Sequence, residues 1–163
     1  MKKRIEPGPG QESVWDYPRP PRLERCEDHL QVFVDAEILA ETRESYRVLE
    51  TSHPPVFYFP VNSVRMEWLL DGDHGSFCEW KGHAHYYALR TSDRLIPNFA
   101  WTYKSPTLKF SAIAGHLAFY PSKTDGCYVN GERVASQVGD FYGGWITKKI
   151  VGPFKGGPGT LGW

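Results

Sequence analysis

"LQVFVDAEILAET", Leu30 to Thr42, decides how the rest of the chain is read. Apolar and polar residues alternate on both sides of Asp35-Ala36, a period of two that turns one face of each segment toward a core and the other toward solvent. The two runs predict the strands of a hairpin. Strand character continues in "RVLET" (Arg47 to Thr51), "VFYF" (Val56 to Phe59) and "RMEWLL" (Arg65 to Leu70), separated by Ser52-His53-Pro54-Pro55 and Pro60-Val61-Asn62-Ser63. In "VNSVRMEWL" a helical turn capped by Asn62 or Ser63 is the alternative. Asp71-Gly72-Asp73-His74-Gly75 reads as a turn, after which "SFCEWKG" and "HAHYYALR" make a strand pair or one bent strand, with Gly82 as the bulge or bend. "FAWTYK" (Phe99 to Lys104) and "HLAFYP" (His116 to Pro121) are further strands, and Asn130-Gly131 is a strong hairpin signal. One helix is expected, near residues 106–114: in "SPTLKFSAIAGHL", Ser105 reads as N-cap, Pro106 as the first helical residue, and Leu108, Ile113 and Ala114 as an apolar stripe. The pattern is mainly β with one short helix.

A chain of 163 residues suits one domain, residues 1–163, with a core from about 30 to 135. Residues 1–28 and 141–163 read as extensions packed on that core. "DYPRPPR", Asp16 to Arg22, is proline-rich and extended, with Trp15 and Tyr17 as anchors. The glycine-rich C-terminal stretch carries Phe141, Tyr142, Trp145, Phe154 and Trp163 for the same task. Nineteen Lys plus Arg balance nineteen Asp plus Glu, so no global field draws the chain to nucleic acid or anionic lipid. Apolar runs such as Val56 to Pro60 fall far short of the roughly 20 residues that span a bilayer, so no membrane is expected. The N-terminus shows no apolar leader. Cys26, Cys78 and Cys127 are too widely spaced for a C-x-x-C motif, and their odd number argues against a disulfide framework. A reducing, cytoplasmic setting is expected.

"FCEWKGHAHYYALR", Phe77 to Arg90, is the densest in chemistry. If Phe77 to Lys81 is a strand, Cys78 and Trp80 share one face, Glu79 and Lys81 the other, and thiol and amine diverge unless Gly82 bends the chain. Cys78 reads either as a nucleophile near a cation or as a structural thiol. Lys81, among aromatics, reads as an amine nucleophile, an acid, an anion clamp, or a snorkelling surface residue. His83 and His85 point the same way on a strand, but two ligands are not a site; a third would come from His53, Glu50 or His116, and no metal is expected. "LETSHPP", Leu49 to Pro55, mounts Glu50 and His53 on a proline-stiffened loop as a carboxylate-oriented base, or as groups that satisfy a turn. "KGGPG", Lys155 to Gly159, lacks the order of a phosphate loop.

Taken together, "ESVWDYPRPPR", "RVLETSHPPVFYFP", "CEWKG", "HLAFYP", "FYGGWIT" and "VGPFKGGPGTLGW" resemble the family catalogued as domain of unknown function 427, in a longer subgroup with terminal extensions. The resemblance implies a β-tent, similar to the Mss-four-like group, in which two antiparallel sheets meet at an angle and shelter a pocket. Relatives of that architecture hold zinc through paired C-x-x-C motifs, which this sequence lacks. The family also carries a nucleotidyltransferase-like label, but no G-S motif with paired aspartates accompanies it here. The family-like positions are Glu50, Ser52, His53, Pro54, Cys78, Lys81, Gly82, Tyr86 and Tyr120.

The leading expectation is a small-molecule binding protein, or a small enzyme using Glu50, His53, Cys78 and Lys81, with Ser52, Trp80, Tyr86, Tyr120 and Trp101 lining an aromatic pocket. Neither the ligand nor a cofactor is named by the residues. The alternative is a non-catalytic interaction module, including a homodimer, whose aromatics bury against a partner.

Overall fold

The computed structural model describes residues 3–139 and 142–163, apart from the side chains of Asp73 and His74; the expected anchor Phe141 lies outside the described residues. Its strands are β1 (Glu12–Ser13), β2 (Arg22–Cys26), β3 (Leu30–Val34), β4 (Glu37–Thr42), β5 (Ser45–Leu49), β6 (Val56–Tyr58), β7 (Leu69–Cys78), β8 (Gly82–Arg90), β9 (Leu95–Thr102), β10 (Leu117–Phe119), β11 (Gly126–Val129), β12 (Glu132–Arg133), β13 (Ala135–Ser136), β14 (Trp145–Ile146) and β15 (Ile150–Val151). The fold is mainly β, as the alternation predicts. Three sheets run β2-β5-β6, β10-β9-β8-β7 and β12-β11-β3-β4, and β1-β15 and β13-β14 form short pairs. The three larger sheets are antiparallel, whereas β1 and β15 pair in parallel.

The hairpin read from Leu30 to Thr42 is β3-β4, closed between Val34 and Glu37 with Asp35 and Ala36 at φ 52° and 63°. Asn130-Gly131 closes β11-β12 in the same way, at φ 50° and 83°. Phe59 and Leu117 exchange backbone hydrogen bonds of 2.7 and 2.8 Å, which joins the edges of β6 and β10. Strands β2-β5-β6 and β10-β9-β8-β7 thus share one continuous hydrogen-bonded surface with two buried faces. One face packs with Leu30, Val32 and Val34 of β3 and with Phe57, Phe59, Phe119 and Trp145. The other gathers Tyr58, Tyr86, Trp101, Tyr103 and Tyr120.

Three local expectations are revised. The segment expected as a helix near 106–114 is a 3-10 stretch, Leu108–Ile113, broken by non-helical angles at Phe110. Phe110 and Ile113 are buried three residues apart, the spacing that eclipses in a 3-10 helix, while Leu108 faces solvent. The hydroxyl of Thr107, at its N-cap, donates instead to Trp80 O at 2.6 Å. "RMEWLL" is a strand only from Leu69, because Met66–Trp68 forms a 3-10 turn; a second turn, Val61–Ser63, has no side-chain cap from Asn62 or Ser63. Asp71 to Gly75, expected as a turn, runs inside β7: the register moves from Asp71↔Tyr87 to Gly75↔His85, so the extra residues are taken up as a bulge.

Candidate functional site

The floor of a cleft of about 280 Å³ follows from strand alternation. Val48 on β5, Val56 and Tyr58 on β6, Ser76 and Cys78 on β7, Tyr86 on β8 and Trp101 on β9 all line it, with Tyr103 and Tyr120 just beyond β9 and β10. The register puts Tyr86 opposite Trp101 and Trp101 opposite Ala118, so these side chains stand in one row across the sheet. Trp101 Nε1 donates to Tyr58 Oη at 3.4 Å, Tyr120 packs on Trp101 with centroids 4.5 Å apart, and Ser76 Oγ and Tyr86 Oη lie 2.8 Å apart. Burial pushes the phenols of Tyr58, Tyr103 and Tyr120 above the ordinary tyrosine range, so they are neutral and can donate hydrogen bonds.

Cys78 and Lys81 reach this floor from the tip of the β7-β8 hairpin. The ladder closes at Cys78↔Gly82, leaving Glu79, Trp80 and Lys81 as the loop rather than a continuing strand. Gly82 sits at φ 105°, which a side chain would resist. The bend that would bring thiol and amine to one side is therefore present. Thr107 anchors the tip through its hydroxyl and through its N–H, which donates to Lys81 O at 3.0 Å. Lys81 Nζ lies 5.8 Å from the Tyr103 ring centre. Burial disfavours its charge, but Tyr58, Cys78 and Glu50, with a hydrogen bond to Cys78, outweigh it and hold the pKa above the ordinary lysine value. Lys81 is thus an ammonium, suited to clamp an anion rather than to attack or to give up its proton.

Glu50 and His53 stand at the two ends of a tight turn, closed by His53 N–H donating to Glu50 O at 3.0 Å, with Ser52 at φ 72° in its third position. Glu50 pairs with Arg19 Nε at 3.3 Å. Gln137 decides the state of His53. Its Nε2 donates to Lys155 O at 2.7 Å and its Oε1 accepts from Gly144 N–H at 3.1 Å, which fixes the amide; the other Nε2 hydrogen then points at His53 Nδ1, 3.3 Å away. Nδ1 must accept, so the proton rests on Nε2, 3.7 Å from Glu50 Oε2. Burial, Lys155, Arg19 and Lys81 push the pKa of His53 down to about 4. The ring is neutral at pH 7 with its basic nitrogen occupied. That geometry favours a hydrogen-bond donor over a carboxylate-oriented base.

Eight of the nine residues singled out in the sequence, Glu50, His53, Cys78, Trp80, Lys81, Tyr86, Trp101 and Tyr120, line the cleft. Ser52 does not: it is fully buried, its O accepts from Lys155 N–H at 2.8 Å, and its Oγ has no hydrogen-bond partner. His83 is exposed against Phe77, and His85 pairs with Asp71 at 2.9 Å, both outside the cleft. Among the described residues no three His, Cys, Asp or Glu side chains gather as a metal would require. Cys26 and Cys127 are buried thiols, the latter pushed up to about 12 by burial. Sequence reasoning missed Gln137 and Lys155, and Tyr58 and Tyr103, as cleft residues. The two tyrosines follow from extending the alternation of "VFYF" and "FAWTYK"; Gln137 and Lys155 arrive through tertiary contacts that no local pattern marks.

The arrangement offers ammonium groups, neutral phenols and an imidazole N–H around a thiol, between aromatic walls. Chemically, such a set of donors and positive charge complements hydrogen-bond acceptors and anions. A comparison with the curated proteins finds no match. The profile described as Domain of unknown function (DUF427) matches residues 22–130, more than half of the chain. Within that span lie the turn, the hairpin tip and the tyrosine row, while Arg19, Gln137, Tyr142 and Lys155 lie outside it. By that match the chain belongs to the DUF427 family.

Proposed function

We propose that the cleft binds a small organic molecule, in a protein that acts in the cytoplasm. The carrying observation is that eight residues picked out by their chemistry converge on one concave, tyrosine-rich site. Its volume of about 280 Å³ is at the small end of ligand pockets, roughly 300–1,000 Å³, and suits a ligand of one or two rings. Glu50, His53, Cys78 and Lys81 supply the polar side, and in the alternative of a small enzyme Cys78 is the nucleophile, with the Lys81 ammonium beside it. The three cysteines are free, which fits a reducing compartment. No helix among the described residues is long and apolar enough to cross a membrane. The nucleotidyltransferase-like label gains no support from the cleft, where no cluster of carboxylates gathers among the described residues.

Native mass spectrometry of the purified protein, before and after exposure to a metabolite extract, tests the reading. Wild type retains an organic mass, and Val56→Trp, which fills the cleft, loses it without a change in far-ultraviolet circular dichroism. A mass kept equally by the filled variant, or none retained in either condition, would overturn it.

A further inference from the structure

The cleft lining carries two ammonium groups, Lys81 and Lys155, and two carboxylates, Glu50 and Glu79. Among the described residues, neither Lys81 nor Lys155 has a carboxylate at ion-pair distance. Glu50 is engaged by Arg19, and Glu79, the other acid on the lining, is exposed at the rim. Lys81 and Lys155 rest instead near the rings of Tyr103 and Tyr142, at 5.8 and 5.6 Å from their centres, contacts that hold an ammonium without neutralising it. Both act on the same imidazole, that of His53, from within the same lining. Around them the polar groups with a defined role are donors: the Nε2–H of His53 and the phenols of Tyr58, Tyr103 and Tyr120. Burial still weighs against the Lys81 charge although its neighbours outweigh it, and neither lysine has an anion in direct contact, so an anion from solution would add a close ion pair to each.

Resting on the reading of the cleft as a small-molecule site, we infer that its ligand carries an oxyanion, carboxylate or phosphate, on a flat apolar body. Lys81 from the hairpin tip and Lys155 from the C-terminal stretch grip the anion from two sides. Trp80 and Trp101 flank the body. The ammonium of Lys81, held above the ordinary lysine range, keeps this grip throughout the neutral pH region. Lys81 lies inside the family match and Lys155 outside it, so the two halves of the clamp come from different parts of the chain.

Titration with benzoate and benzamide, one ring with and without the charge, tests the inference, read by tryptophan fluorescence and calorimetry. Phenyl phosphate and inorganic phosphate complete the set. Benzoate or phenyl phosphate is expected to bind about tenfold or more tightly than benzamide, the size of one charged hydrogen bond. That preference should fall to about twofold in Lys81→Met and in Lys155→Met, and the better anion identifies the source as carboxylate or phosphate. Should Lys81→Met fail to fold, Lys155→Met carries the comparison. Equal binding of benzamide would overturn the oxyanion inference while leaving a small-molecule cleft. Absence of binding by all four probes would overturn the inference too, and mass spectrometry of the filled variant separately judges the cleft itself.

Discussion

At His53, burial, three cations and a fixed amide act in one direction. Its folded pKa of about 4 lies below the unfolded value of 6.5, so the unfolded chain binds the extra proton between those limits. The contribution to stability is complete above pH 6.5 and is lost as pH falls toward 4. Its size is at most about 3 kcal/mol, because a tenfold change in proton affinity is worth about 1.4 kcal/mol and the side chain is only 11% exposed. Urea midpoints measured from pH 7 down to pH 4.5 should fall steeply in wild type and more gently in His53→Gln; parallel curves would refute the assignment. Gly143 is limited by space instead: a Cβ there would meet Trp101 at 2.3 Å. Gly143→Ala should destabilise by about 1–3 kcal/mol and change the fluorescence of Trp101, since the indole belongs to a packed row and has to move. An unchanged thermal midpoint would show that the wall yields.

Among the elements, the turn that carries Glu50 and His53 depends on the N-terminal segment. Thr51 N–H donates to Pro18 O at 3.2 Å, Ser52 N–H to Val14 O at 3.1 Å, and Arg19 reaches both Glu50 and Thr51 O. That segment is tied to β5 through Arg47, which pairs with Glu12 and with Glu24 at 2.9 Å, while Tyr17 Oη donates to Glu12 at 2.6 Å. Removing one partner of a fully buried pair costs about 3–5 kcal/mol, but Glu24 is 39% exposed and water replaces part of the loss. Arg47→Leu should therefore cost about 2 kcal/mol and accelerate amide exchange in β1 and β15 first. Uniform acceleration across all sheets would mean that Arg47 supports the core and not this attachment.

On the scale of the whole molecule, the cleft is bounded by chain segments far apart in sequence. Trp15 Nε1 donates to Pro153 O at 2.8 Å and its ring meets Trp163 edge-on at 5.3 Å, so the two terminal stretches touch beside the turn. Deleting residues 1–20 removes the buried Val14 and Tyr17 and the Arg19 contacts, roughly 5 kcal/mol in all. At about 2–4 °C per kcal/mol, the thermal midpoint should drop by roughly 10–20 °C with the oligomeric state unchanged. An unaltered midpoint with a new oligomeric state would assign those aromatics to a partner surface instead.

The sequence by itself determined what depends on neighbours along the chain. The period-two runs specified the strands, Asp35-Ala36 and Asn130-Gly131 specified their hairpins, and the clustering of polar groups in "LETSHPP" and "CEWKG" marked most of the cleft's chemistry. Backbone sterics and alternation act over a few residues, so they are written locally. Only the tertiary structure decided that Leu108–Ile113 is a 3-10 stretch, because Trp80 O takes the Thr107 hydroxyl and the sheet buries Phe110 and Ile113 together. It alone brought Gln137 and Lys155 to His53, Ser52 away from the cleft, and Lys81 beside Tyr103. Charge and protonation follow distance in space, and those distances exist only once the sheets have packed.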